Sequence, residues 1–265
     1  MIMRKESGLI ALFTCAAGAI GLFIRWLQLS SAFEPLTGLP IHGAPASIAM
    51  AATIIVYAVA LFIVMRTMKD AEKLTEYKTA LRGHSIFYPA AAALLGIATI
   101  VAGLLMFPGT AGELRPGLWR LLAAAALLCG ASYPVLALPS KRSGGDALTC
   151  LAALVPTIFF CIWLIVSYMS NAENPIVWAY ATETLAISGA TLGFYYCAGY
   201  AFGRPRPLST AYFSHLGAFL CIVTLADDRA TPAQIMLAAA AVMLLLLSTT
   251  LIGNFEKARR LTADE

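Results

Sequence analysis

In a chain of 265 residues, 60% are hydrophobic and only 12% charged, about half the charge of an ordinary soluble domain. So little polar surface cannot cover so apolar an interior in water, and the near-continuous apolar runs leave no room for a separate soluble domain. The net charge of +4 lies in short clusters between those runs and not in a basic stripe with interleaved aromatics, which speaks against a nucleic-acid partner and makes the charges reporters of topology.

The expected fold is all-α. Residues 1–265 form a single integral membrane domain, a polytopic bundle whose first partner is the lipid bilayer. A helix needs about 20 mostly apolar residues to cross the hydrocarbon core. Eight segments meet that requirement: about 8–31, 47–68, 85–107, 117–139, 147–170, 176–202, 208–226 and 233–254.

The first span follows Met1-Ile-Met-Arg-Lys-Glu6 and imitates a signal peptide. Its apolar run exceeds a signal h-region and further spans follow, so it reads as a retained membrane helix. It carries Arg25 and Trp26 near its outer end. The segment from Phe33 to Pro45 is rich in turn residues and is expected to fold back as a cap. After the second span comes the only sizeable inner loop, Lys69 to His84. Ala71, Leu74, Lys78 and Leu81 fall near one helical face there, so a short surface helix on anionic headgroups is expected, adding little to the stability of the bundle.

Pro108-Gly109 ends the third span, and the fourth places Trp119 and Arg120 close to its start. Ser143-Gly144-Gly145-Asp146 leads into the fifth, which carries Trp163 and Tyr168. Asn174-Pro175 precedes the sixth, with Trp178, Tyr180 and Glu183 in its outer half. Gly189 and Gly193, then Gly199 and Gly203, are spaced for close helix packing. The run Gly203-Arg-Pro-Arg-Pro207 breaks the chain before the seventh span, where His215 is the one intramembrane histidine. A hydrogen bond to Tyr195, Tyr196 or Tyr200 is its expected role. Asp227 and Asp228 read as a solvated helix end beside Arg229.

Counting basic residues orients the bundle. Of the 18 Lys and Arg, fourteen fall on one side: Arg4, Lys5, Arg66, Lys69, Lys73, Lys78, Arg82, Lys141, Arg142, Arg204, Arg206, Lys257, Arg259 and Arg260. Arg25, Arg115, Arg120 and Arg229 fall on the other. Positive residues favour the cytoplasmic side, so both termini are expected there, as an even span count also requires. A cytoplasmic (plasma) membrane of bacterial type is the expected location. Trp26, Trp119, Trp163 and Trp178, with Tyr168 and Tyr180, lie toward the outer face and are expected to form an interfacial belt, or in part to line a pocket.

Ionisable groups at depth are costly in hydrocarbon and mark candidate sites. By helical rise, Glu183 lies roughly 12 Å past Pro175, Arg25 roughly 9 Å before Ser31 and Arg120 roughly 6 Å past Pro116, depths at which they could meet. Both arginines are long enough to snorkel; Glu183 is not. An Arg25–Glu183 ion pair holding helices together is the leading structural expectation. The functional one is a ligand site built from Glu183, Arg25, Arg120, Trp26, Trp178 and Tyr180, with His215 as a secondary polar site.

Cys15, Cys129, Cys150, Cys161, Cys197 and Cys221 lie in apolar runs without a C-x-x-C pair and read as buried small hydrophobes. No paired histidines for haem, no H-E-x-x-H, G-x-S-x-G or Walker motif occurs, so no metal, cofactor or catalytic activity is expected. The expected function is binding or transport of a small solute from the outer face. A rival from another class is an accessory or scaffolding subunit that docks a cytoplasmic protein through the 69–84 loop.

Overall fold

Backbone N–H and C=O groups in hydrocarbon find no water, so a lipid-exposed apolar run satisfies them within itself, as a helix. The computed structural model follows that rule; it describes residues 5–34, 37–68, 76–81, 83, 87–109, 116–138, 146–172 and 176–263. Among these are eight helices of 18 residues or more and one short helix. They run in chain order as α1 (Lys5–Ser31), α2 (Pro45–Thr67), α3 (Tyr77–Ala80), α4 (Phe87–Gly109), α5 (Pro116–Ala137), α6 (Ala147–Asn171), α7 (Val177–Ala201), α8 (Pro207–Thr224) and α9 (Thr231–Ala263).

Seven of the eight long helices are long and apolar enough to cross a membrane, the architecture of a multi-pass membrane protein; α7 is the exception. It carries Thr182, Glu183 and Thr184 and a run of small residues, which lower its mean hydropathy. Thr182 and Glu183 are buried, as are Gly189 and Gly193, while Leu185, Leu192 and Tyr195 face outward. Outward-facing Leu9, Ile20, Ile55, Ile63, Leu94, Ile97, Leu128, Leu151 and Ile165 give α1, α2, α4, α5 and α6 an apolar coat. A soluble surface rarely tolerates a coat of that extent.

Neighbours in sequence pack side by side from α4 to α9. Helix α8 sits centrally, against α1, α2, α7 and α9, while α9 also reaches α4. Glycines permit the closest crossing. A Cβ on Gly217 of α8 would lie 2.7 Å from Gly189 O and 3.0 Å from Ala190 N of α7, so the two backbones meet directly. Helices α1 and α2 are the least buried; among the described residues α2 packs mainly on α1 and α8, which leaves grooves along its flanks.

The bundle has a terminal end, where Ser7 N–H donates to Glu256 Oε1 at 2.7 Å and ties α1 to α9, and a distal end, where α1 finishes and α2 and α7 begin. Helix α9 runs on to Ala263, beyond the expected end near residue 254.

Within the 69–84 segment, residues 76–81 depart from expectation at the terminal end. They do not lie free on the surface: Tyr77, Ala80 and Leu81 are buried in the main core. The Tyr77 hydroxyl donates to Leu136 O at 3.0 Å, and Asn254 Nδ2 donates to Ala80 O at 2.8 Å. Burial pushes the Tyr77 phenol well above its ordinary pKa, so it stays a neutral donor. The physical reason is that Leu136 belongs to the last turn of α5, whose carbonyls have no intrahelical partner. Ala71 and Leu74 lie outside the described residues.

Two further expectations are corrected. Trp163 is not at an interface but fully buried, stacked on Phe160 at 5.8 Å within a cluster that includes Phe159 and Phe194. Cys15 and Cys161 are exposed on the outside of the bundle, whereas Cys129, Cys197 and Cys221 are buried.

Candidate functional site

Five charged side chains, Arg25 of α1, Glu183 of α7 and Asp227, Asp228 and Arg229 of the α8–α9 turn, converge at the distal end. Helix α8 stops at Thr224, and Asp227 N–H folds back to Thr224 O at 3.0 Å. That turn carries Asp227 inward, where it is only 3% exposed. The expectation of a solvated Asp227 therefore fails; Asp228, its neighbour, is exposed as expected.

Asp227 is the partner of Arg25. Arg25 Nε donates to Asp227 Oδ1 at 2.6 Å, with the arginine entirely buried. The rest of the guanidinium is satisfied by Gln28 Oε1 at 2.8 Å and by Trp178 O and Ala179 O at 3.3 Å each. Gln28 in turn donates to Ser47 Oγ on α2 at 3.1 Å. A buried charge is tolerable when it is paired and its remaining donors are satisfied. Arg25 meets both conditions and does not snorkel. It links α1 to the start of α7 and to the α8–α9 turn.

The expected Arg25–Glu183 pair does not form. Glu183, buried on α7, faces Arg229, whose Nη1 lies 2.8 Å from Glu183 Oε2. The approach is off the N–H axis, so that oxygen accepts no well-directed hydrogen bond. The Trp163 indole N–H and the Ser167 hydroxyl of α6 lie beside the same carboxylate, also without a closed hydrogen bond. Arg229 Nη2 is 3.7 Å from Asp227 Oδ2, which also accepts from Thr182 Oγ1 at 3.0 Å. The result is a continuous series, Arg25–Asp227–Arg229–Glu183, in which Arg229, 22% exposed, is the accessible member and the other three are buried.

Above this series opens a cavity of about 380 Å³ lined by Leu29, Phe33, Gly38, Asn171, Ala179, Tyr180, Asp227, Asp228 and Arg229. Phe33 and Gly38 come from the segment expected to cap the helices, where Phe33 bridges Pro40. Gly38 has a φ of 66°, a left-handed turn position suited to glycine. Of the residues expected at a ligand site, Tyr180 lines this cavity. Arg120 is exposed on α5 and does not join it. Trp26 is 56% exposed on the outside of α1, stacked on Phe23. Trp178 contributes its carbonyl to Arg25, while its ring borders a separate groove with His42 and Ser47. Asp227, Asp228 and Arg229 are the site residues that sequence reasoning missed. Their signal was three consecutive charges after an unusually short span.

His215 is buried deeper, without contact to the series. Its Nδ1 is 2.9 Å from Thr14 Oγ1, which accepts from the Tyr57 hydroxyl at 2.9 Å. The partners are therefore on α1 and α2, not Tyr195, Tyr196 or Tyr200 on α7. Tyr195 points outward and Tyr196 stacks on Phe213. Among the described residues, no three His, Cys, Asp or Glu gather as metal ligands. Compared with family models, curated proteins and solved structures, the chain matches none.

Proposed function

We propose that the chain spans a cytoplasmic membrane eight times, with both termini inside, and that it binds and carries a small polar solute at its outer face. Helix α7 serves as the eighth span because its polar groups turn inward and its outward residues are apolar. The distal cavity is then the outer mouth. One observation carries the binding reading. The cavity is lined by Asp228, exposed and without a partner among the described residues, beside the half-shielded Arg229. Its charged residues sit over a floor of buried ion pairs.

Charge selects the solute. Around the cavity Asp227, Asp228 and Glu183 face Arg25 and Arg229, leaving one uncompensated negative charge, on Asp228. A small cation or zwitterion fits: its amine meets Asp228, and any carboxylate it carries meets the accessible edge of Arg229. The buried pairs hold the floor rigid, so binding costs little ordering.

Thermal-shift screening of the purified protein with amino acids, polyamines and quaternary amines tests this. A ligand at a hundredfold excess over its Kd stabilises by about 2.7 kcal/mol. At least one cation or zwitterion should raise the Tm of wild type, and Asp228→Asn should abolish that rise while melting normally without ligand. No stabilising cation, or an undiminished rise in Asp228→Asn, contradicts the reading.

A second reading, an accessory subunit docking a cytoplasmic protein through the 69–84 segment, is favoured by the anchoring of α3. Tyr77 and the Asn254 bond fix it, and Glu76 and Thr79 are presented outward. A stoichiometric companion lost on Glu76→Lys would support it.

A further inference from the structure

At the terminal end, a groove of about 450 Å³ runs between α2 and α8, lined by Phe62, Met65, Arg66, Leu208, Tyr212 and Phe213, with Ser209 at its edge. It exists because α2 touches α8 sparingly; the Tyr212 hydroxyl reaches Ala58 O at 3.4 Å, one of the few ties across it. Its walls are aromatic and aliphatic. Phe62 and Tyr212 meet edge to face at 6.2 Å, and Tyr212 and Phe213 do so at 5.1 Å.

The groove has a charged end. Arg66, in the last turn of α2, lies over the Phe62 ring at 4.9 Å. It is exposed, and among the described residues no carboxylate pairs with it. Arg204 and Arg206 are exposed in the turn that leads into α8, on the same side. Along the other direction the groove is continuous with the apolar flank of α2, where Val59 and Ile63 are more than half exposed.

We infer that this groove holds an anionic phospholipid, one acyl chain lying along Phe62, Tyr212 and Phe213 and the phosphate at Arg66. A groove open along an apolar flank takes hydrocarbon. An unpaired guanidinium at its polar end, with two more exposed basic residues in the turn that leads into α8, selects a negative headgroup over a zwitterionic one. Ser209 adds a hydroxyl at the level of the phosphate. The site does not depend on the solute reading; it needs only that the bundle lies in a membrane.

Native mass spectrometry and thermal melts in detergent, with phosphatidylglycerol against phosphatidylcholine of the same chains, test the inference. Wild type should retain phosphatidylglycerol preferentially and gain Tm from it beyond the gain from phosphatidylcholine. Arg66→Gln alters an exposed, unpaired side chain, so it should fold; it should weaken phosphatidylglycerol retention about fivefold, as expected for one basic residue at a lipid surface, and leave the phosphatidylcholine response unchanged. Equal retention of the two lipids by wild type overturns the inference without recourse to any variant. So does a phosphatidylglycerol preference that survives Arg66→Gln. An equal Tm gain from inorganic phosphate alone would assign the site to a soluble anion and overturn it as well.

Discussion

Arg25 and Asp227, 202 positions apart in sequence, are joined at 2.6 Å in the interior, and neither is more than 3% exposed. Helix α1 is thereby pinned to the α8–α9 turn at the end of the bundle where the candidate mouth opens. The arginine also holds two carbonyls at the start of α7. One side chain therefore ties together three chain segments that border the cavity.

The anchoring of the 76–81 segment is the first relationship to test. Tyr77→Phe removes the hydroxyl that caps Leu136 O and should cost about 0.5–1.5 kcal/mol. Leu81→Ser replaces a buried leucine, 4% exposed, and should cost about 2–5 kcal/mol. Thermal melts in detergent measure both. Unchanged stability in both variants would mean that the segment lies free on the surface.

Close helix crossing gives a second prediction. Gly217→Ala places a methyl group against backbone atoms of Gly189 and Ala190 that cannot move aside independently. It should destabilise by about 1–3 kcal/mol. Gly117→Ala, where a Cβ meets nothing within 4 Å, should be neutral or slightly stabilising. Equal effects from the two substitutions would contradict the backbone-to-backbone contact of α7 and α8.

Topology is tested with single cysteines in a background lacking the native ones. Thr110→Cys should react with an impermeant reagent from outside and Ser143→Cys only after the inner face is opened, as eight spans with internal termini require. The reverse pattern, or both sites on one side, contradicts the proposed orientation.

Much of the architecture was legible in sequence because lipid imposes one rule on all of it. Composition and the turn residues at Pro108-Gly109 and 203–207 were enough to place the long helices to within a few residues, except at the end of α9. Position along a helix gives depth but not direction around the axis. Trp163 was placed in an outer half-helix and wrongly turned outward, since only the packing of Phe159, Phe160 and Phe194 tells which way its ring points. Arg25 and Glu183 stood out as costly charges, yet their partners were misassigned. Asp227 and Arg229 lie in a turn, where charge is ordinarily solvated, and the inward fold of that turn onto Thr224 has no local sequence signature. Leu81 was misread for a related reason: its burial depends on Asn254 and Leu136, both remote in sequence.

The account rests most on the Arg25–Asp227 pair, and a double-mutant cycle tests it directly. Removing one partner leaves a buried charge unpaired, so Arg25→Met and Asp227→Leu should each cost about 3–5 kcal/mol. The double variant replaces a buried ion pair by apolar groups and should recover most of that loss, giving a large favourable coupling. Denaturation of the four proteins in the same detergent measures it. Strong single losses with substantial recovery in the double variant are the predicted result; near-neutral singles, or losses that simply add, would contradict it.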